Sequence, residues 1–116
     1  FLSDYKKVVE MHTITEAYVE LYRYFKFIDP FHETEEAFFN TLSYIDVKNF
    51  AHRIKGKLVF IASLMDDVCP PETQFAVYNN LECEKKLLVM PEYSHEAMNV
   101  KVQDKIFNWA TGSSIE

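Results

Sequence analysis

Two short apolar runs constrain the fold of this chain more than any other feature. They are LVFIA at 58–62, just after Gly56, and LLVM at 87–90. Apolar runs without polar alternation are typical of strands buried on both faces, as in a parallel sheet. Between them, Pro70 and Pro71 predict a helix over about 72–81, because proline is favoured in the first helical turn. The order strand, helix, strand predicts parallel strands joined by a right-handed crossover.

A last helix is expected after the second strand, with Val102, Ile106 and Trp109 on one side. Residues 56–116 therefore have the pattern of a βαβα unit, which places the chain in the α/β class. Parallel sheets normally contain more than two strands and are covered on both faces. We therefore expect the chain to be the C-terminal part of a larger α/β domain.

Residues 1–55 have a mainly helical pattern. Thr13 and Glu16 fit a capping box at the start of a helix. Its apolar residues recur at helical spacing and are Tyr18, Leu21, Tyr22 and Phe25. The Asp29-Pro30 step is expected to end this helix, because the residue before proline disfavours helical backbone angles.

Two further helices are expected before the first strand. One starts at Thr34, and its apolar face consists of Phe38, Leu42 and Ile45. The other is short and capped by Asp46, with an apolar face of Val47, Phe50 and Ile54. The aromatic side chains of this half are expected to lie in a core or an interface: Tyr18, Tyr22, Phe25, Phe38 and Phe39.

Composition excludes several function classes. The chain has 2 glycines, Gly56 and Gly112, so neither a glycine-rich phosphate loop nor a complete Gly-x-Ser-x-Gly turn is present. A net charge of −6 without a basic cluster argues against nucleic-acid binding. The longest wholly apolar run, 58–62, is far too short to cross a membrane. We expect neither a nucleic acid nor a membrane as a partner.

Cysteine usage suggests a cytoplasmic protein, and histidine spacing gives no sign of a metal site. The 2 cysteines, Cys69 and Cys83, are too few for a disulfide scaffold, and no secretion signal is evident. The histidines lack the spacing of a metal site. For His32, a structural hydrogen bond or a subunit contact is favoured over catalysis.

The chemistry is expected in the loops that follow the two strands, because functional groups collect at the carboxyl ends of parallel strands. The first loop carries Asp66 and Asp67, and the second carries His95. A carboxylate beside a histidine can fix the imidazole tautomer and support a general base. The order acid before histidine suits the α/β-hydrolases. The alternative is a loop aspartate that caps the next helix and a surface histidine.

Five stretches of the chain resemble the acetyl xylan esterase and cephalosporin C deacetylase family, which is carbohydrate esterase family seven among the α/β-hydrolases. These stretches are DPFHE at 29–33, LSYIDVKN at 42–49, LMDDVCPPET at 64–73, FAVYN at 75–79 and YSHE at 93–96. The resemblance covers nearly the whole chain. It implies an α/β-hydrolase fold in which residues 1–116 are the C-terminal part of a single domain.

The resemblance also implies site residues. Asp66 matches the catalytic acid of the family and His95 its catalytic base, while Asp67 falls where the family varies. Ser63 and Ser94 stand where the family usually has glycine, and each is expected to strain its loop if the backbone there needs a positive φ.

The nucleophilic serine and the oxyanion donors of the family lie upstream of the matched region. Within the chain, Ser94 adjoins His95, Ser43 lies in a helical segment and Ser63 ends a strand, so none is a convincing replacement. A catalytic Cys69 is a weaker alternative.

Two functions follow as hypotheses. In the first, the chain is part of a serine esterase that deacetylates small acetylated sugars, such as xylo-oligosaccharides, or cephalosporins. Its partners are then the substrate, the missing N-terminal part of the same domain and further copies in a homo-oligomer, and the 116-residue chain alone is inactive. In the second, it is a truncated, non-catalytic hydrolase-like module for binding or assembly.

Overall fold

The computed structural model describes residues 1–12, 15–96 and 99–112. Its helices are α1 (Tyr5–Glu10), α2 (Val19–Phe27), α3 (Glu35–Leu42), α4 (Pro71–Asn79) and α5 (Val100–Ala110). Its strands are β1 (Leu58–Ser63) and β2 (Lys85–Met90). Short 3-10 turns span Glu16–Tyr18, Val47–Asn49 and Ala51–Arg53. The predicted order of a helical first half followed by β, α, β and α is confirmed.

The two strands pair in parallel, as the apolar runs predict. The register places Phe60 opposite Leu87 and Ser63 opposite Met90, so both strands end at the same edge of the sheet. Strand β2 begins two residues before its apolar run. Lys85 is accommodated there because its ammonium donates to the carbonyl oxygens of Tyr78 and Leu81, at 2.8 and 2.7 Å.

The core lies where α4 packs against β1. Its fully or nearly buried members are Ala51, Phe60, Ala62, Val77 and Leu81. The Phe60 ring meets the Tyr78 ring edge to face, with centroids 5.5 Å apart. Such aromatic pairs contribute beyond their buried area, so this contact helps to fix the crossover helix on the sheet.

Asp46 ties the first helix to the turns before β1. Its carboxylate accepts hydrogen bonds from the backbone N–H groups of Asp4, Tyr5 and Lys48, at 3.0, 3.3 and 3.0 Å. The predicted cap is therefore confirmed, but the predicted third helix is wrong: the segment forms two 3-10 turns, because the chain turns again at Phe50. Helix α1 was not predicted, since its N-terminal partner lies about 40 residues away in sequence.

Asp29 organises the turn between α2 and α3. Helix α2 ends at Phe27, before the Asp29-Pro30 step as predicted. The Asp29 carboxylate accepts hydrogen bonds from the N–H groups of Glu33 and Thr34, both at 2.8 Å. Thr34 is the residue before α3, close to the predicted start. The predicted capping box at Thr13 lies outside the described residues.

The aromatic side chains of α2 and α3 form a cluster that is only partly covered. Phe25 is buried and stacks on the His32 ring, with centroids 4.4 Å apart, and it also contacts Phe38. Ile45 does not lie on a buried face of α3 as predicted, because the helix ends at Leu42 and leaves it 62% exposed. Phe31 is 85% exposed beside this cluster.

The described part of the chain is elongated, with extents of 53 × 29 × 15 Å. Among the described helices, none has the length and apolarity needed to span a bilayer.

Candidate active site

The loops that follow β1 and β2 are joined by their backbones. The N–H of Leu64 donates to the Met90 carbonyl, and the N–H of Met65 donates to the Tyr93 carbonyl, both at 3.1 Å. These bonds continue the parallel ladder beyond the last paired residues. The side chains that follow in each loop are thereby brought to one place.

Asp66 is buried in the first of these loops and is held by its own backbone. Its Oδ1 accepts hydrogen bonds from the N–H groups of Val68 and Cys69, at 3.0 and 2.8 Å. A short loop that folds back on an aspartate in this way is an Asx turn, and it fixes the carboxylate. The side chain of Asp66 is 7% exposed.

The surroundings of Asp66 act on its pKa in opposite directions. Burial is the largest influence and by itself raises the pKa, because it disfavours the charged form. The hydrogen bonds from Cys69, His95 and Val68, together with the attraction of the imidazole, outweigh burial and lower the pKa of Asp66 below its ordinary value of 3.8. The carboxylate is therefore ionised near neutral pH.

His95 lies against this carboxylate, so the structure brings the predicted acid and base together. Its Nδ1 is 3.2 Å from Oδ1 and 3.1 Å from Oδ2 of Asp66. An ionised carboxylate only accepts, so Nδ1 carries the proton and Nε2 of the neutral ring is an acceptor. Nε2 has no partner among the described residues, and the side chain is 52% exposed. The arrangement can serve as a general base toward a group that approaches from solvent or from a neighbouring segment.

Asp67, the neighbour of the acid, points to a different partner. It is exposed, and its Oδ1 accepts a hydrogen bond from the Ser94 hydroxyl at 3.2 Å. This side-chain contact is a second link between the two loops. Neither Ser63 nor Ser94 has a positive φ. The strain considered for serine at these two positions is therefore not present.

Within the described residues, no serine hydroxyl is hydrogen-bonded to His95. Ser3, Ser43 and Ser94 donate to the Thr73 carbonyl, the Asn40 carbonyl and Asp67, respectively. Ser63 is buried at the end of β1, and its Oγ lacks a partner in the described part of the chain. The Cys69 thiol is buried and free, while its backbone N–H is bonded to Asp66.

Gln74 is a site residue that sequence reasoning missed. It lies in α4, is 7% exposed, and its Nε2 is 3.1 Å from Oδ2 of Asp66. A signal was available: Gln74, Val77 and Leu81 recur at helical spacing in the predicted helix 72–81, and all three are buried. A polar side chain at a buried position needs a hydrogen-bond partner.

A groove of about 780 Å³ lies between α1 and α3, and it contains neither Asp66 nor His95. Its lining is mainly charged and polar. In the ranges 1–12, 15–96 and 99–112, no three His, Cys, Asp or Glu side chains are grouped as a metal site.

The chain is similar to two solved enzymes over nearly its entire length. Acetyl xylan esterase 1 from Thermoanaerobacterium sp. JW/SL YS485 is 47% identical, with a TM-score of 0.85, and the match covers 92% of this chain and 34% of that one. The acetyl xylan esterase from Paenibacillus sp. R4 is 34% identical, with a TM-score of 0.89, and the match covers 98% of this chain and 35% of that one. Both likenesses confirm the predicted partial α/β-hydrolase fold.

A curated relative and a family model agree with the solved structures. The acetyl esterase Axe7A of Xylanibacter ruminicola is 39% identical over 56 residues, which are 48% of this chain and 13% of that protein. The chain thus spans about a third of the solved relatives and less of the curated one. The family model for acetyl xylan esterase (AXE1) matches residues 1–113. This match shows that the chain belongs to the acetyl xylan esterase family.

Proposed function

We propose that the protein carrying this chain is a carboxyl-ester hydrolase that removes acetyl groups from small acetylated sugars such as xylo-oligosaccharides. The observation that carries the proposal is the contact between His95 Nδ1 and the buried Asp66 carboxylate, at 3.1 Å. Cephalosporins that carry an acetyl ester are a second substrate class, because the same kind of bond is broken in them.

The reaction proceeds in two steps through an acetyl-enzyme. A serine supplied outside these residues attacks the acetyl carbonyl, and Nε2 of His95 accepts its proton. His95 then gives this proton to the departing sugar oxygen. In the second step, His95 deprotonates a water molecule that attacks the acetyl-serine, and the proton returns to the serine as acetate leaves.

Asp66 keeps His95 ready for both steps. Its carboxylate fixes the tautomer with the proton on Nδ1, which leaves Nε2 free to accept. The imidazolium formed after each proton transfer lies beside an ionised carboxylate and is stabilised by it. The lowered pKa of Asp66 supports this role, since the carboxylate then stays charged through the cycle.

The similarity to acetyl xylan esterases supports the substrate class. The relatives named above carry acetyl esterase or acetyl xylan esterase as their names, and the two solved ones match 92 and 98% of this chain. No metal or organic cofactor is required for this chemistry.

The test uses the product of the complete native reading frame and its His95→Ala variant, with p-nitrophenyl acetate and acetylated xylo-oligosaccharides as substrates. We expect the frame to encode a Gly-x-Ser-x-Gly turn before these residues. We expect His95→Ala to lower kcat by roughly 10²–10⁴-fold, the usual contribution of a general base. The exposed His52 is the matched control, and His52→Ala should retain activity.

Two results would overturn the proposal. One is a native protein that releases no acetate from either substrate. The other is a His95→Ala variant that is as active as the His52→Ala control. A folded, inactive native protein would instead favour the non-catalytic module.

A further inference from the structure

The contact between Gln74 and Asp66 is well defined. Nε2 of Gln74 is 3.1 Å from Oδ2 of Asp66 and 2.7 Å from the carbonyl oxygen of Cys69. An amide nitrogen carries two N–H groups, and here each has an acceptor. Since a carboxylate and a carbonyl both only accept, the side-chain nitrogen, and not the oxygen, must face them.

Gln74 holds the carboxylate oxygen that the loop backbone leaves unsupported. The N–H groups of Val68 and Cys69 both donate to Oδ1 of Asp66. Oδ2 accepts a hydrogen bond from Nε2 of Gln74, and both carboxylate oxygens contact Nδ1 of His95. Without Gln74, the only remaining contact of Oδ2 is with His95 itself, and the carboxylate can turn about the Cβ–Cγ bond.

We infer that Gln74 is a positioning residue for the catalytic base, acting through Asp66 by holding its carboxylate in the plane that receives Nδ1 of His95. The inference rests on the proposed function. Gln74 is buried behind the acid, whereas the exposed edge of His95 is where substrate must approach. Gln74 therefore sets the orientation of the acid–histidine pair rather than contacting the reacting atoms.

This role predicts a particular kinetic signature. If the carboxylate turns, a smaller share of His95 side chains is aligned for proton transfer, so kcat falls. Substrate contacts are unchanged, so KM stays near that of the native protein. A residue that only stabilises the fold would lower Tm and the amount of folded protein, while kcat per folded molecule would stay native.

The variants for the test are Gln74→Met and Gln74→Glu in the product of the complete native reading frame. Methionine keeps a similar length and loses the N–H groups, while glutamate keeps the shape and presents an acceptor to Asp66. We expect kcat to fall about tenfold in each, which is the scale of a lost hydrogen bond to a charged group. The matched control is Val77→Ala, at a buried position of the same helix. It should lower Tm and leave kcat unchanged.

A second measurement does not depend on activity. The carboxyl ¹³C signal of Asp66, assigned by its loss in Asp66→Asn, is followed as the pH is changed. Loss of the Gln74 donor removes a hydrogen bond from the charged form and should raise the pKa of Asp66 in Gln74→Met. The Val77→Ala control should titrate like the native protein.

The outcomes separate this inference from the proposed function. A native protein without esterase activity overturns the proposed function, and with it the positioning role, whatever the titration shows. With an active native protein, Gln74→Met that keeps native kcat overturns the inference alone, even if the titration of Asp66 moves. A lower kcat with native KM, together with a raised pKa of Asp66, establishes it.

Discussion

At the scale of single residues, one carboxylate takes part in local folding and in the proposed chemistry. Asp66 closes its own loop through two backbone N–H groups and contacts His95 from the same position. The loop N–H groups and the imidazole both donate to the charged form of Asp66. Both therefore lower its pKa. Replacing the charge should therefore affect stability as well as rate.

The pH dependence of stability tests this statement. The pKa of Asp66 is lower in the folded state than its ordinary value of 3.8, so its ionisation stabilises the fold above that pH. This contribution is lost as the pH falls through the lower, folded-state value. We expect Asp66→Asn to have a lower Tm than the native protein at pH 7, and the gap to shrink below pH 3.8. A gap of constant size across calorimetric scans from pH 7 to pH 2.5 would contradict this.

Asp66 and His95 were predicted as site residues from the sequence alone, but Gln74, which donates to Asp66, was not. Asp66 and His95 each follow an apolar run, and strand order alone brings such loops together. Gln74 approaches Asp66 from a helix, and its contact depends on the rotation of α4 about its axis. That rotation is set by how the helix as a whole packs on β1, which is a tertiary property.

At the scale of elements, prediction failed where an element depends on contacts between residues that are far apart in sequence. Strands β1 and β2 and helix α4 were predicted to within about two residues, because their signals are local: apolar runs and proline. Helix α1 and the 3-10 turns depend on Asp46, which accepts from both segments. No local sequence pattern in residues 1–12 indicates Asp46 as the acceptor for these N–H groups.

Asp46→Ala should loosen both segments at once. Three backbone N–H groups, those of Asp4, Tyr5 and Lys48, lose their acceptor in this variant. The cost is about 1–3 kcal/mol in the free energy of local unfolding. Hydrogen–deuterium exchange should accelerate in peptides covering residues 1–10 and 44–52 together.

The control for this change is Asp67→Ala, which removes an exposed aspartate with a side-chain partner only. Exchange in the same two peptides should match that of the native protein. Faster exchange at 44–52 alone in Asp46→Ala would show that Asp46 merely caps its own turn.

At the scale of the whole molecule, the described chain leaves large apolar side chains uncovered. The most exposed are Phe27, Ile28, Phe31, Tyr44, Val100 and Phe107, at 67, 71, 85, 80, 71 and 68%. Exposed apolar patches normally mark an interface or an aggregation hazard. The β1–β2 pair also has a free edge on each side within the described residues.

The 116-residue chain, purified alone, should therefore self-associate. Light scattering at micromolar concentration should give a mean mass above the 13.7 kDa of one chain. Exchanging two exposed aromatic residues, Phe31→Ser with Tyr44→Ser, should lower that mass. Phe60→Ser, which opens the core, should raise it. A single species of 13.7 kDa for the unaltered chain would refute this expectation.

The backbone bond between Met65 and Tyr93 has a consequence for how the site can evolve. Because main-chain atoms also join the two loops, we expect the spacing between Asp66 and His95 to survive loss of the contact between the side chains at 67 and 94. Substitutions at these two positions should therefore leave the geometry of the acid–histidine pair in place. Evolution can therefore vary the surface beside the proposed active site at these positions. A library of the complete protein randomised at 67 and 94 should yield many active clones.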